Sequence, residues 1–295
     1  MRPQVTLPGE LISVAGERLH VVVDGRLDAP PVLLSSGLGG AWFDWQPTVD
    51  LLRDRYRVIN FDRPGLGASP PTRPAWRAAP TLRAESARLA ALAGWAGRPV
   101  IVAAHSYAAF HAEALARTCP DLVAGLILVD PSCESAARPR RPHLSRAASP
   151  VLRAVGGLAG ATGAARLLGP RSRSLFMRRI SHRDPVPPAL VRAVYGRGPV
   201  VGTAMVENVT YGEMAGDLIL LRRARPFPEI PLTVLTALGD LRSPGRRETW
   251  IDCHRRLAWM SPYGRQISLD GARHLLQTDR PDDVAEAVTE IRSRL

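Results

Sequence analysis

Residues that could do chemistry stand directly after short apolar runs in this sequence. A glycine-rich stretch, 36–40, follows the first of these runs, Ser106 follows the third, and Asp130 follows the fourth. Asp240 and His274 follow the last two. In chain order, Ser106, Asp240 and His274 are a nucleophile, an acid and a base, the set of groups that acyl-transfer chemistry uses. If the apolar runs are strands of one sheet, all these groups meet at one edge.

The apolar runs alternate with segments of helical periodicity, which is typical of an α/β fold. Because the runs are continuously apolar, we expect a mostly parallel central sheet covered by helices on both faces. The opening segment, ELISVAGERLHVVVDG, alternates around a short turn and predicts an antiparallel hairpin. Ligands bind beyond the carboxyl ends of strands in such open sheets. The predicted parallel strands are PVLLSSG, YRVINFD, PVIVAAH, VAGLILVD, PLTVLTALGD and RQISLDG.

Residues 133–226 interrupt the alternation. This segment is rich in arginine and contains short helical patterns, and no strand is evident in it. Because the strand pattern returns afterwards, we interpret the segment as a helical, Arg-rich lid inserted before the last two strands. The predicted organisation is a core in two parts, 1–132 and 227–295, with the lid at 133–226.

The formal charge of the 295-residue chain is +12, and every basic residue is arginine. The excess lies in residues 133–197, which contain only two acids, Glu134 and Asp184. Three interpretations stay open for this segment: a solvated face, a field that steers an anionic substrate, or contact with an anionic membrane surface. Nucleic acid is disfavoured as a partner, because the arginine-rich run 149–183 has one aromatic residue, Phe176, and stacking platforms need several.

Several kinds of site are excluded by motif. Without lysine there is no Walker A loop, and the sequence has no GxGxxG, HExxH or EF-hand pattern. Cys119, Cys133 and Cys253 include no CxxC pair, which argues against a zinc site and a disulfide framework and favours a reducing cytoplasm. The N-terminus lacks the apolar core of a signal peptide, and no apolar run reaches the ~18–20 residues of a membrane span. We therefore expect a cytoplasmic protein that uses no metal and no cofactor.

Five motifs, in this order, resemble those of α/β-hydrolases: SGLGGAWFDW, FDRPGLGAS, AHSYAA, LILVDPS and GARHLLQTDRP. The resemblance covers nearly the whole chain outside the predicted lid. It implies that Ser106 is the nucleophile on a strained elbow, that His274 takes its proton, and that Asp240 orients His274. It also implies that the backbone N–H groups of Leu38 and Tyr107 form the oxyanion hole.

The sequence departs from the family pattern at three positions. Ala104 and Ala108 stand where the family usually has glycine, and each adds a methyl group to a tight turn, where backbone strain runs to ~1–3 kcal/mol. Ser36 stands where the family usually has a histidine that organises the loop. Two further assignments stay open. Asp130 is the alternative acid, because some relatives take the acid from that strand end, and Trp42 either packs in the core or lines the substrate pocket.

Together these observations predict a serine hydrolase that cleaves a carboxylic ester or lactone through an acyl-enzyme. The resemblance to the family, with Ser106 in this place, argues against the dehalogenase and epoxide-hydrolase branches, in which the family has an aspartate nucleophile at that position. The alternatives are C–C hydrolysis, acyl transfer or cofactor-free haloperoxidase chemistry on the same triad, and a non-catalytic binding protein on this scaffold. The expected partner is a small ester-like molecule, anionic if the arginines steer it.

Overall fold

The computed structural model describes residues 6–14, 16–72, 79–134 and 143–295. The described residues form one eight-stranded sheet, whose strands are β1 (Glu10–Val14), β2 (Glu17–Asp24), β3 (Pro31–Ser35), β4 (Arg57–Phe61), β5 (Val100–His105), β6 (Val123–Val129), β7 (Leu232–Ala237) and β8 (Gly264–Leu269). The strand order is β1-β2-β4-β3-β5-β6-β7-β8. Strands β3 to β8 are parallel, whereas β2 is antiparallel to both β1 and β4. The predicted hairpin and the six predicted parallel strands are thereby confirmed.

Helices cover both faces of the sheet, as the continuously apolar strands require. The helices are α1 (Gln46–Leu52), α2 (Leu82–Trp95), α3 (Ala108–Thr118), α4 (His143–Ala161), α5 (Ala164–Ile180), α6 (Pro188–Tyr195), α7 (Gly198–Ala224), α8 (Pro244–Ala258), α9 (Leu276–Asp279) and α10 (Pro281–Ser293). Helices α1 and α10 bury their apolar sides against one face, and α2, α3 and α8 pack against the other. Because the interior of the sheet is apolar on both sides, the polar residues that end the parallel strands lie together at one edge.

Four helices, α4 to α7, follow β6 and precede β7, and we call them the cap helices. The start of the predicted lid, 135–142, lies outside the described residues, and the role of a lid stays a prediction. Glycine weakens an isolated helix, but here it permits close packing of α4 on α7. A Cβ atom on Gly156 would lie 2.6 Å from the Cα atom of Gly202. None of the helices in the described part of the chain is long and apolar enough to cross a membrane.

A disulfide joins Cys133, just beyond β6, to Cys253 on α8, with the two Cα atoms 6.2 Å apart. The sequence argument against a disulfide was wrong, because 120 residues separate the two cysteines and only the fold brings them together. Disulfides persist mainly in oxidising compartments. The expectation of a reducing cytoplasm depended on unpaired cysteines. Because Cys133 and Cys253 are paired, the cysteines no longer support it.

Candidate active site

Ser106 occupies the sharp turn between β5 and α3. Its φ of 52° lies in the left-handed region, which a residue with a side chain adopts at a cost of ~1–3 kcal/mol. The turn is held in place because the Ser106 N–H donates to the carbonyl of Val129 on β6 (3.0 Å). Ala104 and Ala108 are fully buried on either side of the turn. The elbow therefore forms with alanine where glycine is usual.

His274 lies beside Ser106 in the loop between β8 and α9. The distance between His274 Nε2 and Ser106 Oγ is 2.9 Å, which is a hydrogen bond. His105 Nε2 donates to the backbone carbonyl of His274 (2.9 Å). Burial, together with the neighbouring His274, lowers the pKa of His105 to about 3, so the His105 ring is neutral at pH 7. His105 is thus a buried, neutral residue that supports the backbone of His274.

Asp130 is the acid that contacts the ring of His274. Its Oδ2 lies 2.5 Å from His274 Nδ1. Its Oδ1 accepts from the backbone N–H of Ala237 (2.9 Å) and from Nε1 of Trp250 (3.1 Å). Burial alone would raise the pKa of the Asp130 carboxyl, but the hydrogen bond and charge of His274 outweigh burial and lower it. Asp130 is therefore an ionised, fully hydrogen-bonded partner for the histidine.

Asp240 does not contact the ring of His274. The prediction that Asp240 orients this ring therefore does not match the structure, in which Asp130 makes that contact. Asp240 Oδ2 accepts instead from the backbone N–H of His274 (3.2 Å), and its Oδ1 lies 3.4 Å from Nε of Arg273. His274 follows β8, but its ring reaches Ser106 at the end of β5, and there its other nitrogen meets Asp130 at the end of the adjacent strand, β6. Asp240, after β7, is left with the backbone N–H of His274.

The 36–40 loop lies on the other side of Ser106, because it follows β3, which pairs with β5 on the side opposite β6. A Cβ atom on Gly37 would lie 2.6 Å from His105 Nδ1 and 3.3 Å from the Cβ of Ser106, so only glycine permits this approach. Leu38 lines the same cavity as Ser106 and His274. This placement suits the predicted oxyanion donors, the N–H groups of Leu38 and Tyr107, and their role stays a prediction.

A buried ion pair anchors the 36–40 loop to the cap helices. Arg63, in the loop after β4, contacts Glu207 of α7 through two bonds of 2.7 and 3.0 Å. The same guanidinium donates to the carbonyls of Ser36 and of Gly37, the latter at 2.7 Å. Glu207 Oε2 also accepts from the N–H of Gly39 (2.8 Å). Burial would lower the pKa of Arg63, but the Glu207 carboxylate raises it well above its usual value.

Sequence reasoning missed this pair. The motif FDRPGLGAS contains Arg63, but its arginine offered no hint of a partner 144 residues away. In this structure the pair fills the organising role that the family usually gives to a histidine at position 36. Ser36 itself donates through Oγ to the carbonyl of Ala41 (3.1 Å).

Trp42 belongs to the core, so its tentative place in the substrate pocket was wrong. Its side chain is 4% exposed and packs edge-on against Phe43, with ring centroids 5.4 Å apart. Val191 and Val194 of α6 complete the cluster. Trp42 thus helps to seat the cap helices on the core.

A cavity of about 420 Å³ opens beside Ser106 and His274, within the ~300–1,000 Å³ that small-molecule sites occupy. Its wall is mostly apolar and comes from the 36–40 loop and the cap helices; the apolar side chains include Leu168, Phe176, Met177, Ile180, Val201 and Met205. Arg173 also lines the cavity, but its guanidinium binds Asp44 (2.8 Å) and Asp184 (2.5 Å). The cavity therefore presents apolar surface around one reactive pair.

The comparisons with known proteins agree with this geometry. The Alpha/beta hydrolase family model matches residues 32–287. The (Lyso)-N-acylphosphatidylethanolamine lipase of Homo sapiens is 27% identical over 289 residues, which cover 90% of this chain and 79% of that protein. The 3-oxoadipate enol-lactonase 1 of Acinetobacter baylyi is 39% identical over 54 residues, 18% of this chain and 20% of that protein. The chain spans about a fifth of the length, 20–22%, of three other curated relatives that it matches, putative carbamate hydrolases of 44–51% identity.

Solved structures share the fold over nearly the whole chain. The enol-lactonase from Burkholderia xenovorans LB400 has a TM-score of 0.67 and 23% identity, covering 96% of this chain and 100% of that one. The esterase from Thermogutta terrifontis has a TM-score of 0.66 and 22% identity, covering 97% and 98%. At these identities the likeness concerns the fold. With the family model spanning most of the sequence and the sheet, elbow and strand-end residues in agreement, this chain belongs to the alpha/beta hydrolase family of enzymes.

Proposed function

We propose that this protein is a serine hydrolase that cleaves a carboxylic ester or lactone, with Ser106 as nucleophile, His274 as base and Asp130 as acid. The observation that carries the proposal is the continuous hydrogen-bonded chain from Ser106 Oγ through both ring nitrogens of His274 to Asp130 Oδ2. Ser106, at one end of this series of hydrogen bonds, faces an apolar cavity next to the glycine-rich 36–40 loop. A nucleophile, base and orienting acid in contact is the geometry that identifies such a site on any fold.

The proposed reaction has two halves. Ser106 Oγ attacks the carbonyl carbon while His274 Nε2 takes the hydroxyl proton, and the resulting oxyanion lies near the N–H groups of Leu38 and Tyr107. Collapse of this intermediate breaks the ester bond, and His274 returns the proton to the departing alkoxide. A water then gives its proton to His274 and attacks the acyl-enzyme, which releases the acid and restores Ser106. The lowered pKa of Asp130 keeps its carboxylate charged opposite the imidazolium in both halves.

We infer that the acyl part of the substrate is apolar and uncharged. The cavity wall is formed largely by leucine, valine, methionine and phenylalanine side chains. Arg173 holds two carboxylates, so its charge is already matched inside the protein. A carboxylate on the substrate would lose its hydration there without gaining a free cation, which is unfavourable. The names of the esterase and enol-lactonase neighbours agree with an ester or lactone as the bond that is cleaved.

The alternatives predict different behaviour. A non-catalytic binding protein would have no need for the Ser106–His274 and His274–Asp130 contacts, yet both are made, and both Ser106 and Asp130 adopt the strained left-handed backbone conformation. C–C hydrolysis, acyl transfer and haloperoxidase chemistry use the same contacts and differ in the substrate or acceptor. The ester reaction is the proposal because an apolar cavity beside Ser106 and His274 suits an acyl group.

The test is steady-state hydrolysis of 4-nitrophenyl acetate, butyrate and octanoate by the wild type, Ser106→Ala and His274→Ala. Both variants should lose about 10⁴-fold or more in kcat. Ser172→Ala is the matched control, because Ser172 lines the same cavity without contacting His274. It should keep wild-type rates, and kcat/KM should rise from acetate to octanoate. Hydrolysis by Ser106→Ala at the wild-type rate would contradict the proposal.

A further inference from the structure

Helices α4 and α5 carry an apolar surface that no other element covers within residues 6–14, 16–72, 79–134 and 143–295. Its side chains are 45–65% exposed, well beyond the buried state usual for such residues. On α4 they recur at intervals of four and three residues, so they share one side of the helix. We call this surface the cap face, and its apolar members are Val151, Val155, Leu158, Leu167, Leu168, Leu175 and Phe176.

The cap face is also strongly cationic. Neither α4 nor α5 contains an aspartate or glutamate. Exposed arginines alternate with the leucines on α5, at Arg166, Arg171, Arg178 and Arg179. A groove of about 1,850 Å³ between α5 and α6 is lined by three of these arginines and by Arg192. Asp184, an acid that lines the groove, forms an ion pair with the buried Arg173, so its charge does not offset these arginines.

The mouth of the catalytic cavity opens at this surface. Leu168 and Phe176 are 62% and 53% exposed, and both also line the cavity that holds Ser106 and His274. Two turns of α5 separate them, so they form one rim of the opening. An apolar molecule bound at the cap face could therefore pass into the cavity along Leu168 and Phe176 without entering water.

We propose that the cap face docks this protein onto an anionic phospholipid bilayer. The leucines and Phe176 enter the boundary between headgroups and acyl chains, and the arginines contact lipid phosphates, the arrangement of an amphipathic interfacial element. Charge selects this partner over a second copy of the chain, because a symmetric pairing of cap faces would bring the arginines of α5 against each other. The contact is peripheral. It does not depend on the proposed hydrolysis, although it would supply that reaction with lipid-borne acyl groups.

The experiment measures co-sedimentation with vesicles, using the full chain with Ser106→Ala so that no lipid is hydrolysed. The protein should bind vesicles of phosphatidylcholine mixed with phosphatidylglycerol, bind phosphatidylcholine alone weakly, and bind the anionic vesicles less tightly, but still measurably, as salt rises. Arg178→Gln with Arg179→Gln should weaken binding to the anionic vesicles about 30-fold. Leu175→Ser with Phe176→Ser should abolish the binding that survives high salt. All four side chains are exposed, so the fold should be unaffected.

A matched control separates docking from the overall positive charge. Trp259→Ser with Arg255→Gln and Arg256→Gln removes an exposed aromatic residue and two exposed arginines at the end of α8. This control should bind vesicles like its parent. Equal loss in the control and the cap-face variants would overturn the proposal in favour of non-specific attraction.

Sedimentation velocity on the same proteins tests the other occupant of the cap face. A concentration-dependent dimer that Leu175→Ser with Phe176→Ser converts to monomer would also overturn the proposal, because the face would then be an interface between copies. A monomeric parent that binds anionic vesicles through these residues supports it. Failure of ester hydrolysis would leave these binding results unchanged, so the two proposals fail separately.

Discussion

Replacing Glu207 by glutamine should slow hydrolysis while leaving the binding of an apolar ester nearly unchanged. Glu207 and Arg63 are 2% and 3% exposed, and together they hold the loop that carries the proposed oxyanion donor. Arg63 binds the carbonyl of Gly37, and Glu207 binds the N–H of Gly39. Leu38 lies between these two anchored residues. The substitution keeps the side-chain shape and removes the charge that compensates Arg63.

The magnitude follows from two bounds. Removing one partner of a buried ion pair destabilises a protein by about 3–5 kcal/mol, because the other charge is left uncompensated. Deleting one oxyanion donor lowers kcat by about 10²–10³-fold. Glu207→Gln displaces the loop without deleting the donor, so we expect kcat to fall about 10- to 100-fold, or ~1.4–2.7 kcal/mol in activation free energy. KM for the octanoate ester should change little, because the cavity wall is apolar and mostly supplied by other residues.

The assay combines steady-state kinetics with urea unfolding, and Glu213→Gln is the matched control. Glu213 is a buried acid on the same helix, but it pairs with Arg146 (3.4 Å) and not with the 36–40 loop. The control should lose stability and keep its kcat. Arg63→Met combined with Glu207→Leu should regain stability, since an apolar pair can replace a buried ion pair, yet its kcat should stay low.

Two results would refute this reasoning. One is a folded Glu207→Gln enzyme whose kcat lies within about twofold of the wild type, which would mean that the loop holds its geometry without the pair. The other is an equal fall in kcat for Glu213→Gln, which would make the effect a general consequence of lost stability.

Three further predictions concern the acid, the disulfide and a buried histidine. Asp130→Asn should lower kcat about 10⁴-fold and Asp240→Asn about threefold at most, measured by initial rates; the reverse order would return the acid to Asp240. Cys133→Ala with Cys253→Ala should lower the free energy of unfolding by about 2–4 kcal/mol in urea titrations, because the bridge closes a loop of 120 residues, and a reductant should destabilise only the wild type. Burial lowers the pKa of His111 to about 3, so below pH 6.5 the unfolded chain takes up a proton that the folded protein refuses. Stability should therefore fall by about 2 kcal/mol from this residue between pH 7 and 5, and His111→Leu should remove that part of the pH dependence; an unchanged dependence would contradict the low pKa.

The sheet and its edge could be predicted from the sequence because they rest on local signals. Continuously apolar runs specify buried parallel strands, and the residue after each run is placed at the edge by the strand itself. Ser106 and His274 were found in this way, and they are in contact. The choice between Asp130 and Asp240 was beyond the same signals, because both follow a strand. It depends on where the ring of His274 lies when it contacts Ser106, which only the assembled sheet and loops determine.

The features that sequence reasoning missed all join distant parts of the chain. The Cys133–Cys253 bridge spans 120 residues, and the Arg63–Glu207 pair spans 144. The place of Trp42 stayed open for a related reason, since its partners on α6 lie in a segment whose pattern carries no tertiary information. Periodicity reports which side of an element is buried and does not report what buries it.

The most direct test of the account is labelling with a fluorophosphonate, followed by intact-mass measurement and peptide mapping. Such reagents react with a serine only where a base and an oxyanion site activate it. We expect a single adduct on Ser106 in the wild type and none in Ser106→Ala or His274→Ala at matched concentration and time. A folded wild type that stays unlabelled, or a His274→Ala protein that labels at the wild-type rate, would contradict the claim that Ser106 and His274 form a working nucleophile and base.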